Sequence, residues 1–357
     1  MFNKVLKAIL LLSPICYMTG FDLNTFDTIF FQLSVGALFC ASLYDEPIRK
    51  VSGNYFIAFI VIAGINVLTH RLSPEITFNF LNYFLAVFAL VLMVRHIDKP
   101  KEHIKYVLYA MTINAVVFAF QKWGFNPILT STSMDFPGGI MGNAPRLTTY
   151  FAIAIPLLAF IHPLLAVPFG AIALWGNTQV APIVTCVAVV GVWIYEMRSK
   201  IDPRYRKLKY GLAIIVSLAS LCFFYKLHKS GIIHHIIGSF KTRLAIWAIL
   251  FSEYFKTPLI GIGIGKYVIQ TPKGLNFDHA YHSSVFQYIA SVGILGFLWI
   301  HAIGKEYLKK WTFSKEDLFI LCLIVVSMVE YPFEVKRMWM TILFGIAVYL
   351  IKKRRAL

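Results

Sequence analysis

Four cationic or titratable side chains in this 357-residue chain are suited to chemistry: His282, Arg243, Lys266 and Arg146. The first three share one polar stretch, KLHKSGIIHHIIGSFKTRLAIWAILFSEYFKTPLIGIGIGKYVIQTPKGLNFDHAYHSS. A neutral imidazole is the natural proton acceptor near pH 7, so His282 is a candidate general base. Arginine grips phosphate oxygens bidentately and stays charged, so Arg243 is a candidate anion ligand. Gly261, Gly263 and Gly265 alternate just before Lys266. Such a run forms either an anion-binding nest of backbone N–H groups beside a lysine or a tight turn re-entering a bundle, and both readings stand. It is not a GxxxxGK[ST] phosphate loop. His279 lies three residues before His282, a spacing compatible with a zinc pair. Asp278 is the one carboxylate close by and no HExxH is present, so no metal and no cofactor are expected. Arg146 closes the segment MDFPGGIMGNAPR at the mouth of an apolar run. It either meets an anionic ligand or snorkels to lipid head groups. Lys336 and Arg337 read as helix anchors in preference to ligands.

The elements that must position these residues are apolar. Hydrophobic residues make up 58% of the chain and charged residues 14%, far from the balance of a soluble domain. An aromatic content of 16% excludes a disordered chain. The five cysteines, Cys16, Cys40, Cys186, Cys222 and Cys322, sit in apolar runs with no disulfide or metal spacing. What remains is an all-α, polytopic bundle of transmembrane helices forming a single integral membrane domain over 1–357. Twelve apolar runs are candidate spans, near 5–21, 27–44, 54–70, 77–94, 104–121, 147–161, 163–176, 179–196, 210–226, 283–303, 316–331 and 338–351. The first resembles a signal peptide without a cleavage site and is read as a retained helix.

The net charge of +17 invites a nucleic-acid reading, but placement decides against it. With the N-terminus in the cytoplasm and spans alternating, most lysines and arginines fall in inner segments, such as Arg95–Lys105, Arg198–Lys209 and Lys352–Arg355. The basic excess is then an orientation signal, with both termini cytoplasmic and no nucleic-acid partner. Two outer segments are long, 122–146 and 227–282. The second is expected to be partly helical: from Thr242 to Phe255, the residues Trp247, Leu250, Phe251, Tyr254 and Phe255 keep helical spacing. That helix is expected at the outer surface, its aromatic face in lipid or against the bundle.

Joined together, these pieces resemble one family. His282-Ser283, nine residues and then Gly293-Ile-Leu-Gly296 fit the pattern H[NSQ]-x9-GxxG of the bacterial O-antigen ligase and polymerase family. TRLAIW…TPLIGIGIGKY is similar to its Arg-x-x-x-Trp followed by a glycine-rich turn. MGNAPRLTTYFAIAIPLL is similar to its Gly-Asn-Pro-Asn segment, with Ala-Pro-Arg146 where the family shows Pro-Asn. The likeness covers roughly 135–300. It implies a GT-C-like glycosyltransferase of the bacterial inner membrane with its active site on the periplasmic or outer face. The implied donor is a glycan on undecaprenyl diphosphate. The implied acceptor is a lipid A core sugar (ligase), another glycan (polymerase) or a protein hydroxyl (protein O-oligosaccharyltransferase). By the resemblance His282 is the base and Arg243 a diphosphate ligand, with Arg146 and Lys266 as further diphosphate contacts. His279, Tyr281, Gly263 and Gly265 are supporting residues. Transfer is expected to be inverting and metal-independent. A flippase for lipid-linked sugars is the reading from another class. It calls for charged residues lining the spans, where this sequence places few.

Overall fold

The computed structural model describes residues 1–15, 23–50, 54–69, 74–125, 139–141, 144–176, 181–197, 244–252, 254–263, 268–270, 276–278, 283–308, 315–329 and 336–355. Eight helices come first: α1 (Phe2–Leu12), α2 (Leu23–Ser42), α3 (Asn54–Thr69), α4 (Pro74–His96), α5 (Pro100–Lys122), α6 (Ala144–Leu158), α7 (Ala166–Gly176) and α8 (Ala181–Met197). A helix over 244–252 follows, then a broken helix Ser284–Leu308, a penultimate helix Lys315–Val329 and a C-terminal helix Lys336–Arg355. The architecture is helical as expected, with one addition in the expected outer loop. A short antiparallel hairpin joins β1 (Val268–Gln270) to β2 (Asn276–Asp278), pairing Val268 with Asp278.

Among the described residues, three segments are long and apolar enough to cross a membrane: Thr25–Ser42, Asn79–His96 and Pro100–Lys122. Four shorter apolar segments accompany them, one running from a 3-10 turn at Pro163–Leu165 into α7 and the others within α8, the broken helix and the penultimate helix. The count of twelve spans is therefore not reached by helix length. α1 and α7 have 11 residues each. That is about 16 Å of helix against a hydrocarbon core of roughly 30 Å. α1 ends at Leu12, well short of the expected 21, in a turn over Ser13–Ile15. The expected span at 210–226 lies outside the described residues. The run expected as one span over 283–303 is two helical pieces meeting at Gly293, whose φ is +68° and ψ −165°.

α6 is the centre of the bundle. Every residue from Leu147 to Phe160 is buried, Pro156 included. A helix apolar on all sides belongs inside a bundle. It packs on α5, α7, α8 and the last two helices. The C-terminal helix lies beside it, against α2 and α4, with Trp339 enclosed by Phe31 and Tyr83 at ring separations of 4.9 and 5.3 Å.

One end of the bundle, expected to be cytoplasmic, is held by exposed ion pairs. Lys7 meets Glu102 at 3.1 Å, and the amino group of Met1 meets Asp45 at 2.7 Å. That amino group, together with the Phe2 N–H, holds the Asp45 carboxyl below its usual range. Arg49 closes the end of α4 by donating to the carbonyls of Val94 and Ile97. The other end carries the candidate site.

Candidate functional site

At the opposite end, four helices bring polar side chains together in an otherwise apolar setting. Arg337, second residue of the C-terminal helix, donates from Nε to Asp27 of α2 at 2.8 Å, and its Nη2 lies 2.7 Å from the same oxygen. Both side chains are almost fully enclosed, at 2% and 3% exposure. Buried charges persist only when paired and hydrogen-bonded. The third guanidinium nitrogen donates to the Ile140 carbonyl at 2.8 Å, and Ser13 Oγ donates to the Arg337 carbonyl at 2.6 Å. Of the two cations expected as anchors, Arg337 is one by geometry. Lys336 lies over the Trp339 ring, 4.8 Å from its centroid.

Ile140 belongs to a buried 3-10 turn, Gly139–Met141, at the end of the 122–146 loop. Two amides from α5 hold it. Gln121 accepts from the Gly139 N–H at 2.8 Å and donates to its carbonyl at 3.3 Å, while Asn114 accepts from the Ile140 N–H at 3.1 Å. Asn114 also donates to the Pro14 carbonyl, tying α1's end to the same knot. Gly139 has a φ of +60°, and a Cβ there would lie 2.8 Å from the Asn114 carbonyl. The turn leads into α6, whose third residue is Arg146. Arg146 is half-buried with Nη1 enclosed by protein, so it stands at the head of the most buried helix.

The second loop is held differently. In the helix over 244–252, Ile246, Leu250 and the following Tyr254 pack with Ala290 of the broken helix. Trp247 and Phe251 stand edge-on to Phe286, with ring centroids 4.8 and 5.4 Å apart. The periodic aromatic face expected from the sequence therefore meets the bundle, except that Phe255 is exposed. Next comes the glycine turn. In an unbroken helix the N–H groups of Ile294 and Leu295 would bond to the carbonyls of Ala290 and Ser291. Here they donate to Pro258 and Leu259, at 2.9 and 3.4 Å. The two carbonyls so released accept from Ile262 and Gly263, at 2.8 and 3.2 Å. A break in a membrane helix is tolerated when neighbours re-satisfy its backbone, and the turn does so here. Positive φ at Gly261 (+71°), Gly263 (+110°) and Gly293 (+68°) makes the approach possible. Of the two readings of this run, the tight turn docked on the bundle holds for Gly261–Gly263. Gly263 supports the fold, its N–H engaged by Ser291.

Asn66 of α3 joins both partners of that clasp. Its Nδ2 donates to the Ile260 carbonyl at 2.6 Å and to the Ser291 carbonyl at 3.0 Å, with the side chain buried. At the head of the broken helix, Ser283 is fully buried. Its Oγ accepts from the Phe286 N–H, which caps the helix, and donates to the Ser327 carbonyl of the penultimate helix. The second residue of the His282-Ser283 pair is thus a helix cap.

Of the expected site residues, Arg146 and Gly263 are placed as described above. Arg243, Lys266, Gly265, His279, Tyr281 and His282 lie outside the described residues. Leu244 and Ser283 open the two segments joined by Trp247 and Phe286, and β1–β2 pairs Val268, two residues after Lys266, with Asp278, just before His279. Among the described residues, no three His, Cys, Asp or Glu side chains are grouped to hold a metal ion. Asp27, Asn66, Asn114 and Gln121 are not among the residues expected from the sequence, and Ser283 is there only as part of the His282-Ser283 motif. The signal for the first four was a polar residue within or at the end of an apolar run, and for Ser283 a cap residue directly before one. No family model matches the chain, and no curated protein matches it.

Proposed function

We propose that the protein is a membrane glycosyltransferase that moves a glycan from a polyprenyl diphosphate, undecaprenyl diphosphate in a bacterium, to an acceptor hydroxyl at the outer face of the inner membrane. One observation carries the reading. The segments that follow Arg243 and His282 in the chain pack on each other, Trp247 and Phe251 against Phe286, with Ile246, Leu250, Tyr254 and Ala290 in one buried cluster. Trp247 and Phe286 each lie four positions after their motif residue, and the proposed site has the cation and the base acting together ahead of this packed pair. The β1–β2 hairpin pairs Val268 with Asp278, and the proposed site takes in Lys266 and His279, which adjoin it in sequence.

In the proposed reaction the acceptor oxygen attacks the anomeric carbon, the bond to the diphosphate oxygen breaks, and configuration inverts. His282 takes the acceptor proton. Arg243, aided by Arg146 and Lys266, holds the diphosphate, whose negative charge grows as the bond breaks. A cation there favours the transition state over the bound substrate. The acceptor is a lipid A core sugar, a second glycan or a protein hydroxyl. Twelve membrane crossings, both termini in the cytoplasm, complete the proposed topology. As a flippase the chain would need charges lining a path. The buried ion pair Asp27–Arg337 is closed off by Ser13 and Ile140 instead.

The test is transfer by the purified full chain in detergent, using a lipid-diphosphate glycan and candidate acceptor hydroxyls. Wild type is expected to release polyprenyl diphosphate and form a new glycosidic bond. His282→Ala is expected to lose about 10²–10⁴ in rate at unchanged abundance. Arg243→Ala is expected to lose about 10²–10³ together with inhibition by undecaprenyl diphosphate. Full transfer by His282→Ala overturns the assignment of the base.

A further inference from the structure

We propose that Asn66 is a positioning residue for the Arg243–His282 site, an inference that rests on the proposed glycosyl transfer. α3 is apolar along most of its length, NYFIAFIVIAGINVLT, and Asn66 is its one buried polar side chain among those described. A primary amide has two N–H donors, and here they reach carbonyls of two different segments. Ile260 lies in the turn that follows the helix bearing the Arg243 end, and Ser291 lies in the helix that follows His282. The Ser291 carbonyl has lost its helical donor at the Gly293 break and also accepts from Gly263. Asn66 and Gly263 therefore share one oxygen, and the amide locks the turn against the break from the α3 side.

The clasp sets the distance between the two helices along their shared axis. The backbone exchange between 258–263 and 290–295 fixes which residues face each other, and Asn66 is the side chain that spans the two segments. Without it, two carbonyls in a buried setting lose a donor, and the turn is free to shift relative to the break. A misplacement of about 1 Å between reacting groups costs roughly 10²-fold in rate. The substrate contacts would survive such a shift while the alignment of base and anomeric carbon would not.

The experiment uses the full chain in membranes, with its five native cysteines replaced by serine and the pair Arg243→Cys and His282→Cys joined by a short bismaleimide. With Asn66 present, efficient cross-linking is expected. Absence of cross-linking there refutes the shared site itself. Cross-linking that Asn66→Ala leaves undiminished refutes the positioning role alone. Kinetics on the chain with native Arg243 and His282 form the second arm. Asn66→Ala is expected to lower kcat about 10²-fold with KM for the lipid donor little changed. A rise in KM at constant kcat overturns the proposal. Asn66→Asp, which has the same shape, covers the case in which the alanine chain does not accumulate. As a carboxylate it repels both carbonyls, and once protonated it donates one hydrogen bond. Its activity relative to wild type is expected to rise on acidification, and a constant ratio across pH overturns the inference.

Discussion

Two loops are fastened to the same end of this bundle by opposite means. The turn Gly139–Met141, leading to Arg146, is held by long side chains: the amides of Asn114 and Gln121, and Arg337 paired with Asp27. The turn at Pro258–Gly263, between the helix over 244–252 and the hairpin, is held chiefly by backbone bonds to the broken helix, through glycines at 261, 263 and 293, with the Asn66 amide joining Ile260 to Ser291. A side-chain anchor is broken by removing atoms. The backbone bonds of the second anchor have no side-chain atoms to remove and are broken by adding a single carbon, while its one amide, Asn66, is open to truncation. The difference bears on function, because the first anchor serves a residue at the head of the central helix, while the second ties together the helices behind both the proposed cation and the proposed base.

The largest expected effect is on the charged anchor. Asp27→Ala leaves the Arg337 guanidinium buried without its carboxylate and is expected to destabilise the fold by about 3–5 kcal/mol. The readout is the unfolding midpoint in detergent. Replacing both, Asp27→Leu with Arg337→Met, is expected to recover much of that loss, since an apolar pair avoids the desolvation cost. Failure to recover would mean that the bond to Ile140 matters more than the ion pair.

Next is the backbone anchor. Gly293→Ala places a Cβ 2.4 Å from the Leu259 carbonyl at a φ of +68°. A cost of about 2–4 kcal/mol is expected from strain and overlap together. Gly261→Ala meets the Ala290 carbonyl at 2.3 Å and is expected to behave alike. Wild-type stability in either variant would contradict the clasp. Smaller again is Asn114→Ala, which removes the acceptor for the Ile140 N–H and is expected to cost about 1–3 kcal/mol by the same measurement. Smallest, and of opposite sign, is Gly36→Ala in the middle of α2. Nothing lies within 4 Å of the added carbon, and a gain of up to about 1 kcal/mol is expected. A loss there would show that α2 packs more tightly than its open side indicates.

These two anchors also divide what the sequence made legible from what it did not. Apolar periodicity located α2, α4 and α5 within a few residues, because a long apolar run bounded by charge or proline has few alternatives. The helix over 244–252 was visible in the spacing of Trp247, Leu250, Phe251 and Tyr254. The ion pair was not, since its partners stand 310 residues apart and no local pattern joins them. The GxxG beginning at Gly293 was visible as a motif but hidden as a helix break. Its conformation is set by carbonyls of a distant turn, and hydropathy passes through a glycine without a change. The shortness of α1 and α7 was hidden for a related reason, as apolar residues continue past the point where the helix ends. Of the site, the residue types were legible. The devices that hold them, Asn66 above all and the bond from Ser283 to Ser327, were not, because each works through a partner far away in the chain.

The claim on which the functional reading depends is that the loop bearing Arg243 and His282 faces away from the cytoplasm. Gln270, in β1 of that loop, reports on it directly. With Gln270→Cys in a cysteine-free chain expressed in bacterial cells, a membrane-impermeant thiol reagent is expected to label the protein once the outer envelope is opened and the inner membrane left intact. Labelling only after lysis of the inner membrane would put the loop in the cytoplasm and contradict the account.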